Sequence, residues 1–160
     1  MSDSQSLSPL QELYQSIIID HYRNPRNFHR LNQANRHADG VNPLCGDKLS
    51  VYLIIEHDAI KDIAFTGTGC AIFIASASMM TQSVKLRTIE EASAISESFY
   101  QLVGKPGETP PDSAIMEKLS VFSGVRGYPA RIKCATLPWK TLNAALSQSA
   151  VGSPQSAVSE

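Results

Sequence analysis

The chain lacks a dominant charge. Fourteen Lys and Arg face fifteen Asp and Glu, for a formal net charge of −1. A nucleic-acid footprint needs a concentrated basic surface, so that class of partner is not expected. Long apolar runs are missing too. The longest lies near Cys70–Met80, is broken by small polar residues, and is too short to span a bilayer. No basic, apolar leader opens the chain, since Met1–Ser8 is polar. These absences predict a cytoplasmic protein with no membrane or nucleic-acid partner. Cysteine is scarce and odd in number: Cys45, Cys70 and Cys134. An odd count without a secretion signal argues against a disulfide framework. Metal binding, sulfur chemistry and plain burial remain. No internal repeat is present.

What is present suits one folded domain. The chain has 160 residues, 42% of them hydrophobic, enough to bury a core. Ser8-Pro9-Leu10-Gln11 predicts a capped helix start, and Leu10, Leu13, Tyr14, Ile17, Ile18 and His21 then share one face. Asn24-Pro25 ends that pattern. Residues 26–47 read as mostly loop, rich in Asn, His and Arg. Alternation at Leu49, Val51, Leu53 and Ile55 predicts a strand, His57-Asp58-Ala59 a turn, and Ile60–Thr66 the returning strand. A helix is expected from about Cys70 to Leu86, burying Phe73, Ala77, Met80 and Val84.

Thr88 and Glu91 predict a second capping box. Its helix turns Ala92, Ile95, Phe99, Leu102 and Val103 inward and stops at Gly104. Lys105–Pro111 reads as a Gly/Pro loop and Ser113–Val121 as a short helix. The last helix falls between about Ala130 and Leu146. Pro138 fits best in its first turn, which would set the start near Cys134. The expected organisation is a flexible N-terminus at 1–8, one domain at 9–146, and a disordered tail at 147–160.

Three short motifs can carry chemistry. Asn42-Pro43-Leu44-Cys45-Gly46-Asp47 sets a thiol and a carboxylate two residues apart around a glycine. Alone it reads equally as a loop cysteine beside a capping aspartate. In Gly67-Thr68-Gly69-Cys70 the glycines let the backbone approach another group closely, and the thiol stands at a helix N-terminus, where the dipole favours thiolate. A small buried residue is the plain alternative. Arg131-Ile132-Lys133-Cys134 sets two cations beside a thiol, which predicts a lowered pKa, or else a basic pair beside a packing cysteine. Together the motifs say more. Each cysteine stands at an element junction, where distant segments can converge. Three thiolates and one carboxylate would complete a tetrahedral shell, suited to zinc or iron–sulfur chemistry rather than Mg²⁺ or Ca²⁺. No histidine is paired by sequence with a cysteine. His21 reads as a partly buried helix residue, and His29, His37 and His57 as loop residues.

The three motifs, with Ala75–Met80 after Cys70 and Asp20–Asn27 near the start, resemble the U-type iron–sulfur assembly proteins, in particular the SufU branch. The resemblance spans roughly residues 10 to 146. It implies an α+β fold, a small antiparallel β-sheet packed against several α-helices. It implies a metal site of Cys45, Asp47, Cys70 and Cys134 holding zinc. The implied partner is a SufS-type, PLP-dependent cysteine desulfurase. Cys45, freed when a partner histidine replaces it on zinc, would take persulfide sulfur for downstream iron–sulfur assembly proteins. Arg131 would help docking or orient Cys45. IscU-type scaffolds carry a histidine just before the last cysteine, where this chain has Lys133. Gly104–Val125 also resembles the extra stretch of SufU-type chains. Both features favour the sulfur acceptor over the alternative, a scaffold binding iron or a [2Fe–2S] cluster at the same four residues. A zinc-stabilised interaction module is a third class.

Overall fold

Strand β2 (Asp47–Glu56) shows the plainest link from sequence to fold in this computed structural model. Its alternate residues Leu49, Val51 and Leu53 are buried, while Lys48 and Glu56 face solvent. That period of two puts one face on a core. The described residues are 7–104, 114–148 and 156–159.

Helix α1 (Pro9–Arg23) opens the chain, capped by Ser8 as expected. The Gln11 N–H donates to Ser8 Oγ at 3.1 Å, and the Ser8 N–H donates to Gln11 Oε1 at 2.9 Å. Strands β1 (Arg36–Asn42), β2 and β3 (Ala59–Thr68) form an antiparallel meander. Helix α2 (Ala71–Val84) follows and is buried on nearly every side. A helix apolar all round belongs in the centre of a core. Helix α3 (Ile89–Gly104) starts from the expected Thr88–Glu91 box, with both reciprocal hydrogen bonds made. Helix α4 (Ala114–Leu119) runs on as a 3-10 turn at Ser120–Val125. Helix α5 (Pro129–Leu146) packs on α2 and on the sheet. Trp139 of α5, fully buried, stacks on Phe99 of α3 at 4.7 Å between centroids. The architecture is α+β, with the sheet covered by helices on one face.

Three expectations need correction. Residues 26–47 are not all loop, because β1 lies within them. Its inward residues are Ala38, Gly40 and Asn42, so it lacks the branched side chains that mark a strand. Gly40 has a packing reason: a Cβ there would collide with Thr141 Oγ1 of α5.

The tail expectation fails at Ser156–Ser159. These residues form β4, parallel to β1, which extends the sheet to the order β3-β2-β1-β4. Residues 149–155 and 160 lie outside the described residues, as do 1–6 at the N-terminus and the expected loop at 105–111.

Finally, α5 starts at Pro129 rather than near Cys134. Pro129 takes the first position, where a missing N–H costs nothing. Pro138 sits in the helix interior instead, and is buried. It removes the N–H that Cys134 O would accept, but packing of the surrounding turn holds the helix together. Within that turn Ser76 Oγ donates to Ala135 O at 2.6 Å. Among the described residues no helix is long and apolar enough to cross a membrane.

Candidate metal centre

The three cysteine segments meet at one end of the sheet. The β1–β2 hairpin closes on the opposed pair Asn42 and Asp47, with residues 43–46 as its tip. The Cys45 and Gly46 N–H groups donate to Asn42 O at 3.3 and 2.8 Å. The Leu44 N–H donates to Asn42 Oδ1 at 3.2 Å. Gly46 has φ +77°, a left-handed conformation that glycine adopts without cost. The tip thereby presents Cys45 to solvent and turns Asp47 inward, at 0% exposure.

Cys70 stands at the N-cap of α2. Its N–H donates to Asp47 Oδ1 at 3.2 Å. Gly69 makes room for that carboxylate, since a Cβ there would lie 2.5 Å from Asp47 Oδ1 and would strike the Phe73 ring. Cys134 comes from the second turn of α5 and is 1% exposed.

The ligand atoms of Cys45, Asp47 and Cys134 all lie within 4.8 Å of one another. Cys70 falls outside that tight group, but lies close enough to Cys134 for its charge to act on that thiol. Asp47 Oδ2 is buried with no hydrogen-bond partner. A buried carboxylate oxygen without a partner is costly, and a metal ion would satisfy it. The donor set, thiolates with one carboxylate oxygen, fits zinc or iron better than a hard cation.

The electrostatics correct one expectation. The flanking cations do not lower Cys134. Burial pushes its thiol far up, helped by the neighbouring Asp47 carboxylate and by the charge of Cys70. Lys133 is exposed. Arg131 is exposed beside the site, and the sulfurs of Cys70 and then Cys134 hold its guanidinium more firmly charged. A metal replacing the thiol protons would reverse the cost at Cys134.

The candidate group holds no histidine among the described residues. His21 instead bonds Ser78 Oγ at 2.7 Å in the core, and His37 pairs with Asp39 on β1. Sequence reasoning gave no role to Asn42, and at the glycines before α2 it expected a close approach of the backbone to another group without naming Asp47 as that group. An Asn before Pro at the start of a turn was the available signal for the first.

Residues 13–135 match the family described as the NifU-like N-terminal domain. The chain belongs to this family. It is a SufU- and IscU-like member of the iron–sulfur cluster assembly proteins. The zinc-dependent sulfurtransferase SufU of Bacillus subtilis is 43% identical, over 83% of this chain and 88% of the relative. The iron–sulfur cluster assembly scaffold protein IscU of Streptococcus pyogenes is 38% identical, over 91% and 89%. Among solved structures, a SUF-system assembly protein from Fervidobacterium islandicum superposes with a TM-score of 0.77 at 31% identity. That match covers 86% of this chain and 98% of the other. The NifU-like match includes all four candidate ligands and Arg131.

Proposed function

We propose that the chain is a zinc-dependent sulfurtransferase. It takes persulfide sulfur from a SufS-type, PLP-dependent cysteine desulfurase in the cytoplasm and passes it to downstream iron–sulfur assembly proteins. The observation that carries this reading is the convergence of Cys45, Asp47 and Cys134, with Cys45 exposed, Cys70 half-buried and Cys134 buried. Cys45, Asp47, Cys70 and Cys134 would hold the ion. Zinc, when bound, supplies the charge that keeps these thiols deprotonated.

The chain's residues divide the work. Cys134 and Asp47, both buried, anchor the site and exclude water. Cys45 sits at the tip of a turn and can swing outward with little loss of packing, as the neighbouring Leu44 is 81% exposed. Its thiolate attacks the outer sulfur of the partner's persulfide. A new S–S bond forms on Cys45, the partner's S–S bond breaks, and the partner's cysteine leaves as thiolate. Atoms and electrons balance without an added oxidant. Arg131, charged and exposed at the rim, would stabilise anionic sulfur during the transfer or meet an acidic group of the partner.

The second reading is a scaffold on which a [2Fe–2S] cluster forms, in keeping with the name of the Streptococcus relative. The exposed Lys133 stands where IscU-type scaffolds have a histidine, which favours the acceptor. The test is sulfide release by the desulfurase under thiol reductant, with and without zinc-loaded, iron-free protein. Strong acceleration that disappears in Cys45→Ala is expected. No acceleration, together with visible absorbance after iron and sulfide loading, would select the scaffold.

A further inference from the structure

Asn42 Nδ2 and Asp47 Oδ2 are both buried polar atoms without hydrogen-bond partners. Their residues are directly opposed in the β1–β2 register, and Asn42 is 1% and Asp47 0% exposed. Such a pair shares one face of the sheet at about 5 Å between Cβ atoms. An amide donor and a carboxylate acceptor at that spacing could bond each other, yet these do not. A bound metal ion would satisfy the open oxygen of Asp47, but the open amide has no such explanation.

The oxygens of Asn42 are already in use. Its carbonyl accepts from Cys45 and Gly46, and its Oδ1 accepts from Leu44. The side-chain bond fixes the amide plane and so leaves Nδ2 as a held donor beside the site. We propose that Asn42 is a positioning residue of the thiol centre. Its oxygens fix the turn that presents Cys45, and its amide N–H is a donor reserved for the anionic group that Cys45 and Asp47 form around the metal. A neutral donor suits this place, because it spreads the negative charge of the ligands without competing for them. Outer partners of metal ligands of this kind change affinity by about 10- to 100-fold. The inference rests on the metal-bound reading of the site, but not on sulfur transfer.

The test uses zinc itself, in competition with a chromophoric chelator, and amide hydrogen exchange of the metal-free protein. Asn42→Ala should weaken zinc binding about tenfold and speed exchange at Leu44, Cys45 and Gly46. Asn42→Ser keeps a short acceptor for the Leu44 N–H. It should recover slow exchange there while zinc binding stays about tenfold weak. Wild-type affinity in the Ser variant would overturn the role of the amide. Unchanged affinity and exchange in Asn42→Ala would overturn the whole assignment. Thermal unfolding of the metal-free variants is the control, and a lowered midpoint that accounts for the lost affinity would also count against it. Wild-type protein whose zinc affinity depends on Asn42 but which accepts no sulfur would sink the function proposed above and leave the role of Asn42 in place.

Discussion

Gly69 shows how much one residue contributes to this site. Its missing side chain is the space into which the Asp47 carboxylate reaches for the Cys70 N–H. Gly69→Ala would force either Asp47 or the buried Phe73 ring to move. Overpacking of this kind costs about 1–3 kcal/mol, and here it would also misplace a candidate ligand. We expect Gly69→Ala to lower the stability of the metal-free protein by about that amount in urea unfolding and to weaken zinc retention. Full stability with normal zinc binding would show that the close approach is not needed. At this scale the sequence marked the four candidate ligands, because cysteine and aspartate announce their chemistry. It was silent about Asn42, and at Gly69 it suggested a close approach without saying to what. The pKa of Cys134 was misread for a related reason. Neighbours in sequence suggested two cations, but burial outweighs them.

Among the elements, the turn between β2 and β3 is a marginal one. His57 and Asp58 both have positive φ, 52° and 61°. Two-residue hairpin loops of this shape favour glycine at the second position. Asp58→Gly keeps the backbone carbonyl that accepts from the Ile89 N–H at 2.9 Å. It should stabilise the protein by about 0.5 kcal/mol, glycine's added freedom in the unfolded chain offsetting part of the gain. A lower denaturation midpoint in that variant would mean that the Asp58 side chain matters to the turn.

Helices α1 and α3 were legible because their caps and apolar spacing agree. Strand β1 was not, because packing against α5 requires small inward residues there. In α5, local propensity favoured a start near Cys134, but tertiary burial keeps Pro138 inside the helix.

For the whole molecule, His21 ties the first helix to the core. It shares a hydrogen bond with Ser78 Oγ, which also accepts the Arg26 N–H at 2.9 Å. Burial, with the nearby Arg26 charge, holds the His21 pKa below its ordinary 6.5. The unfolded chain therefore binds a proton first as pH falls. Stability contributed by neutral His21 is complete above pH 6.5 and is lost as pH drops toward the folded-state value. Urea unfolding at pH 7.5 and 5.5 should show this loss in the metal-free protein, and a smaller one in His21→Gln. Equal losses in both would assign the pH dependence to other groups.

Metal removal acts on the same global equilibrium. With free zinc at a hundredfold over its Kd, binding adds about 2.7 kcal/mol. Chelation should then lower Tm by roughly 5–10 °C, and an unchanged Tm would mean that the ion is not held by the folded site.

The sequence alone determined the chemistry available: three thiols, one carboxylate, no dominant charge, and apolar periods that specify helices around a sheet. Those features follow from residue type and local spacing, which a linear reading preserves. Only the tertiary structure decided which groups meet. It placed the Asp47 carboxylate under the Cys70 N–H. It buried Cys134 while exposing Cys45, and it set Asn42 opposite Asp47. The physical reason is that burial, register and close approach arise from contacts between segments distant along the chain, and these set the cost of each charge and each unpaired polar atom.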